Sequence, residues 1–194
     1  GKGASQSVIG LDRDGHMVQA ANTNARLLGL DNSFSARQVD IRQTRELAPE
    51  SCELVLANPP YRKSGTGRMN AEPAKRSARF EEEGELEDFV RAARFVLRNK
   101  ARFCMIHLAE HLPRIFASLT SHAMEPKRMR LVHSRAGQPA RLALLENRKN
   151  SGPELVVEPP LVLYGDGDKS RELTGEALAF CPHLSCNAGT RDTA

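Results

Sequence analysis

The sequence predicts an α/β fold built on an open, mostly parallel sheet with helices on both faces, closed at its C-terminal end by an antiparallel hairpin. Short apolar strand patterns alternate with helical patterns up to about residue 122, which is the arrangement of a parallel sheet with crossover helices. Two of the first three strand patterns end beside an acid, and two late strand patterns flank one turn, Gly137-Gln-Pro139.

Val8-Ile-Gly-Leu-Asp12 is a short apolar run ending in an acid. Residues 15–30 follow with Met17, Ala20, Ala21, Leu27 and Leu28 spaced for one helical face. The stretch Phe34 to Ile41 holds a weaker strand ending at Val39-Asp40-Ile41. Cys52-Glu-Leu-Val-Leu-Ala57 has the continuous apolar character of a buried strand, and the prolines after it end regular structure. A loop with Gly65 and Gly67 precedes a helix-compatible stretch from Pro73, where proline suits a first turn. Leu86, Phe89, Val90, Ala93 and Leu97 recur at helical spacing, and Ala101 to Leu108 reads as a strand. A helix from about Glu110 to His122 accommodates Pro113 near its start, and Met129 to His133 with Arg141 to Glu146 form the hairpin. Leu155 to Val157 and Leu161 to Tyr164 flank Pro159-Pro160. Everything beyond Tyr164 is polar and Gly-rich, so residues 165–194 read as a disordered tail behind a single domain spanning 1–164.

Twenty-eight Lys and Arg against 24 Asp and Glu give a net charge of +4 over 194 residues, which permits an anionic partner without requiring one. No apolar run approaches the roughly 20 residues that span a bilayer, and we expect no membrane partner and a cytoplasmic location. Cys52 and Cys104 sit inside apolar strand patterns, as small hydrophobes do in a reducing compartment. Cys181, His183 and Cys186 form a Cys-x-His-x2-Cys cluster whose spacing matches no standard zinc site, and no metal is expected there.

The chemistry concentrates after the strands. In open parallel sheets ligands bind beyond the carboxyl ends of the strands, where an acid can hold a ribose hydroxyl. Asp12 has that kind of position, although a turn or capping role is the alternative and Asp14 beside it is the better placed cap. Asp40 could accept from an adenine amine or serve as an ordinary turn acid. Asn58-Pro59-Pro60-Tyr61 is more specific. The nitrogen of an adenine or amide group is a poor nucleophile because its lone pair is delocalised. A site that accepts both amine hydrogens, through the Asn58 side-chain oxygen and the Pro59 carbonyl, localises that lone pair toward an incoming methyl group. Proline stiffens the loop, and Tyr61 offers a flat face on which a planar group can stack. Arg62, Lys63, Arg68, Lys75, Arg76 and Arg79 follow directly and face only Glu72 before the acidic run at residues 81–83. That charge suits RNA phosphates, with a solvated loop and helix face as its alternative.

These residues resemble the class I methyltransferases of the Asn-Pro-Pro-Tyr type, and among them the bacterial tRNA1(Val) adenine-37 N6-methyltransferases. The resemblance covers roughly Val8 to Tyr164 and rests on Ile9-Gly-Leu-Asp12, Val39-Asp40, Asn58 to Tyr61, Gly65 to Asn70 and Ala78-Arg79. It extends through Leu108 to Leu112, Pro126 to His133 and Pro159 to Tyr164. It implies a Rossmann-like, seven-stranded sheet and S-adenosylmethionine as cofactor. It also implies Asp12 on the cofactor ribose, Asp40 near its adenine, and Asn58, Pro59 and Tyr61 holding a flipped-out adenine of tRNA. Phe80 stands where relatives often carry a histidine. Relatives also carry a strand, a glycine-rich Asp-x-Gly-x-Gly-type loop and a helix before the equivalent of Val8, whereas seven residues precede it here. The expectation is therefore a chain whose first, central strand and cofactor loop are missing, with Gly1-Lys-Gly3 as the tail of that segment and little cofactor affinity of its own.

Two other functions fit the same residues. Glutamine methylation on a release factor uses the same tetrapeptide, and the basic run weighs toward RNA instead. A non-catalytic RNA-binding remnant would retain RNA without turnover.

Overall fold

The computed structural model describes residues 7–59, 86–165 and 172–187. The chain falls into two compact units, residues 1–49 and 50–194.

The first unit is a strand, a helix and a parallel strand. β1 (Val8–Asp12) and β2 (Phe34–Gln38) pair in parallel from Val8↔Phe34 to Asp12↔Gln38, with α1 (Gly15–Leu27) as the crossover that a parallel connection requires. Asp14 caps α1, its carboxylate accepting the His16 N–H at 2.8 Å. Gly29 ends it in the left-handed region (φ 66°), while the Leu30 N–H reaches back to the Ala25 carbonyl at 2.8 Å. Asn22 ties the helix to the sheet: its amide donates to the Ala36 carbonyl at 3.0 Å and its oxygen accepts the Ala36 N–H at 2.7 Å. A helix side chain thereby satisfies two backbone groups of β2 that a further strand would otherwise serve.

The second unit is a mixed sheet with two helices packed on one face. β3 (Cys52–Ala57) lies parallel to β4 (Leu97–Leu108), and β6 (Ala140–Lys149) runs antiparallel between β4 and β5 (Met124–His133). Two short strands, β7 (Val156–Val157) and β8 (Leu161–Val162), extend the far side parallel to β5. α2 (Leu86–Val96) and α3 (Leu112–Ser121) cover one face, bringing Val90, Ala93, Ile115 and Leu119 against Phe103, Met105 and Leu145. Burial of each large side chain in that layer contributes roughly 1.5–3 kcal/mol. Lys149 is almost fully buried at the base of the sheet, where its ammonium donates to the Leu97 carbonyl at 2.6 Å and to Glu50 at 3.0 Å.

The elements follow the sequence reading closely, with informative differences. β4 begins four residues earlier than the apolar run, straight after α2, and turns through Lys100 at φ 62°. The hairpin strands are longer than their apolar cores. It is the second strand of the hairpin, β6, that docks on β4, and its alternate residues Leu145 and Ala143 join the buried, helix-covered face. The single seven-stranded sheet is not what the described residues form. They make a two-stranded sheet in the first unit and a six-stranded sheet in the second. The tail reading fails for residues 172–187: α4 (Gly175–Phe180) is capped by Thr174, buries Ala177 completely and is followed by a 3-10 turn, Pro182–Asn187. The helix expected from Pro73 lies outside the described residues. No helix among the described residues is long and apolar enough to cross a membrane.

Candidate active site

The residues singled out in the sequence divide between the two units. In the first, β1 and β2 end side by side, the Val39 N–H donating to the Asp12 carbonyl at 2.9 Å. The structure therefore brings Asp12 and Asp40 to one edge, the carboxyl end of a parallel pair, where a ligand is expected. Asp12 is exposed, and one of its oxygens accepts the Asp14 N–H at 2.8 Å, while Asp14 takes the capping role. Asp40 follows buried Val39, and the Arg42 side chain donates from Nε to both its oxygens at 3.0 Å. That hydrogen bond is the main reason the Asp40 carboxyl lies below its ordinary value, against a smaller opposing effect of burial.

In the second unit, β3 delivers Asn58 and Pro59 to the carboxyl end of the sheet. Regular pairing stops at Ala57, because Pro59 has no N–H to offer a neighbour. Pro59 is fully buried while Asn58 is exposed. Tyr61, Arg62, Lys63, Arg68, Lys75 and Arg76 lie outside the described residues.

Beneath Asn58 the face of the sheet opposite α2 and α3 carries a cavity of about 540 Å³. Strand alternation builds it. The register aligns Leu56, Cys104, Glu146 and Arg128 across four strands, and Ile106, Leu144 and Arg130 lie one step nearer the carboxyl end of β4. Arg128 pairs with Glu158 and, at 3.6 Å, with Glu146; Arg130 pairs with Glu176 and lies 5.2 Å from the centre of the Phe180 ring. Desolvation, seconded by the Glu146 charge, pushes the Cys104 thiol above its usual value. It is consequently held as the thiol and is a poor nucleophile at neutral pH. None of these lining residues stood out as a site residue in the sequence, although the alternation of β4 and β6 carried the information.

The fold places this arrangement among known proteins. The chain is similar to a predicted O-methyltransferase from Agrobacterium tumefaciens, with a TM-score of 0.69 and 20% identity over 94% of this chain and 78% of that one. It is also similar to a modification subunit of a putative type I restriction enzyme from Vibrio vulnificus YJ016, with a TM-score of 0.57 and 15% identity over 97% of this chain and 42% of that one. A geranyl diphosphate methyltransferase solved in complex with SAM matches with a TM-score of 0.51 and 10% identity over 74% of this chain and 69% of that one. The fold is that of a class I methyltransferase, Rossmann-like and mixed at its C-terminal end. More particularly, residues 2–135 match the family described as UPF0020, RMKL-like methyltransferase domain, and the chain belongs to it.

The cofactor of such a domain is S-adenosylmethionine. The donor and acceptor chemistry at the end of β1 and β2 fits it. A carboxylate has about four lone-pair sites, and the Asp14 N–H uses one on Asp12, which leaves acceptor capacity for vicinal hydroxyls. Asp40 is an acceptor too, already partly engaged by Arg42.

Proposed function

We propose that the chain methylates the exocyclic N6-amine of adenine in tRNA. The observation that carries this reading is the Asn58-Pro59 segment, which follows a parallel strand at its carboxyl end with the proline buried and the asparagine exposed. Asn58 accepts one amine hydrogen through its side-chain oxygen and Pro59 the other through its carbonyl. Two acceptors in fixed positions draw the nitrogen lone pair out of conjugation and hold it in line for attack. Tyr61 stacks on the base, which unstacks cheaply when it starts unpaired in a loop. Asp12 holds the cofactor ribose, Asp40 borders its adenine, and S-adenosylmethionine supplies the methyl group as an electrophilic carbon. The nitrogen that gains the methyl sheds a proton to water, so no residue of the chain is required as a strong base.

The choice of RNA rests on charge. Arg62, Lys63, Arg68, Lys75 and Arg76 directly follow the tetrapeptide, and a run of cations at that place supports binding of phosphates. The competing acceptor is the side-chain amide of a protein glutamine, whose NH2 group the same two oxygens would hold. Incubation with radiolabelled S-adenosylmethionine and equal amounts of unmodified tRNA and release factor decides between them. Label in N6-methyladenosine is the expected result, and label confined to protein rejects RNA as the substrate.

A further inference from the structure

The cavity that contains Asn58 also contains an aromatic ring. Phe180 is the last residue of α4, lines that cavity and is 51% exposed. The helix that carries it is fastened to the sheet: Ala177 is completely buried, and the Thr174 hydroxyl donates to the Val162 carbonyl at 2.7 Å. Arg130, from β5, lies over the ring, its guanidinium carbon 5.2 Å from the ring centre and within cation–π reach. The arginine is itself held. Its Nε donates to the Pro159 carbonyl at 3.0 Å, and its other end pairs with Glu176 of α4. Ring and guanidinium are therefore set in place before any ligand arrives, which keeps the ordering cost of binding low.

The surroundings select what can lie there. The cavity that Phe180 shares with Asn58 has apolar side chains from three strands, Leu56, Ile106 and Leu144. Its charged lining is balanced, with Arg128 and Arg130 against Glu146 and Glu158. A phosphate would meet arginines already paired with glutamates, and the carboxylates would repel it. A neutral planar group meets no such repulsion and gains stacking on a phenyl ring and a guanidinium plane. The volume of about 540 Å³ is that of a small-ligand site. We infer that Phe180 and Arg130 form a stacking platform for an unpaired nucleobase, the neighbour of the adenine whose amine Asn58 accepts. The inference rests on the proposed action on RNA. One base goes to Asn58 and the next to Phe180, so the strand is held at two points and the target adenine is kept from returning to its stack.

The chain contains no tryptophan, so Phe180→Trp puts a single indole at the platform. The probes are oligoadenylate and a ribose phosphate oligomer of the same length without bases. In the full chain the Trp fluorescence is expected to be quenched by oligoadenylate and not by the abasic oligomer. Phe180→Ala should weaken oligoadenylate binding roughly 5- to 100-fold, the loss of one base stack, and leave binding of the abasic oligomer as in wild type. Phe180→Tyr keeps the ring and should bind oligoadenylate within about twofold of wild type. Equal quenching by the two oligomers overturns the inference, as does equal oligoadenylate affinity in wild type and Phe180→Ala. Quenching by release factor and not by oligoadenylate makes the ring a protein contact and overturns it too. In turnover, Phe180→Ala should raise the KM for tRNA and leave kcat and the KM for cofactor unchanged, because a neighbouring base is held equally before and during the reaction. A loss confined to kcat contradicts the platform. A wild type that methylates no tRNA, while oligoadenylate still quenches Phe180→Trp, rejects the proposed function and leaves the platform standing. Methylation of tRNA untouched by Phe180→Ala does the reverse.

Discussion

Asp40 and Arg42 form a local charge pair at the edge where the cofactor is proposed to bind, and its pH behaviour has a definite sign. The carboxyl is held below its ordinary value in the folded chain, chiefly by the Arg42 hydrogen bond. Its contribution to stability is therefore complete above the unfolded-state carboxyl value and is lost as pH falls through the folded-state value. In a 13C titration of the Asp40 carboxyl, Arg42→Ala is expected to move the midpoint upward toward that of an ordinary aspartate; an unchanged midpoint would remove Arg42 as the cause. Cys104 behaves in the opposite sense, its thiol favoured by desolvation. Its alkylation by iodoacetamide should be slow at neutral pH and quicken only at clearly alkaline pH. The places of Asp12 and Asn58 at strand ends were legible in the sequence, because each closes or directly follows an apolar strand pattern. The burial of His107 was not, because a histidine closing an apolar run gives no sign of which face it joins until the register with β3 is known.

At the level of the elements, the two faces of the second sheet differ sharply. Phe103, on the face covered by α2 and α3, is completely buried, whereas Leu56, on the opposite face, is 73% exposed. Urea denaturation should show Phe103→Ala destabilising by about 3–5 kcal/mol and Leu56→Thr by less than about 0.5 kcal/mol. Comparable losses at both positions would mean that Leu56 is covered. α4 makes a second case. It is a short, largely apolar segment inside a polar, Gly-rich stretch, which hid it, and what fixes it is Thr174. That hydroxyl accepts the Ala177 N–H at 3.0 Å and donates to the Val162 carbonyl at 2.7 Å. Thr174→Ala should cost about 1 kcal/mol and raise hydrogen exchange in residues 175–180 selectively. The periodicity of α2 made it readable, whereas the face expected for α1 leaves Met17, Leu27 and Leu28 exposed and buries Ala25 instead; the Gly137 turn revealed the hairpin. Which hairpin strand joins β4 could not be read, because both strands carry alternating apolar residues and only the paired sheet distinguishes them.

For the molecule as a whole, the class of fold followed from strand and helix alternation, and the mixed C-terminal end followed from the hairpin. The charge balance of +4 gives little guidance by itself, but its placement after Asn58 to Tyr61 makes RNA affinity salt-dependent on the proposed function. Replacing Arg62, Lys63 and Arg68 together by Gln should flatten the dependence of tRNA binding on log salt by about 0.7–0.9 for each phosphate that the protein no longer neutralises. The central claim is that the turn after β3 holds an amine for methyl transfer, and Asn58→Ala tests it most directly. With tRNA and S-adenosylmethionine, the account predicts that the variant retains tRNA binding and loses formation of N6-methyladenosine by roughly 100-fold or more, as when a preorganised transition-state hydrogen bond is removed. An unchanged methylation rate in Asn58→Ala would contradict it.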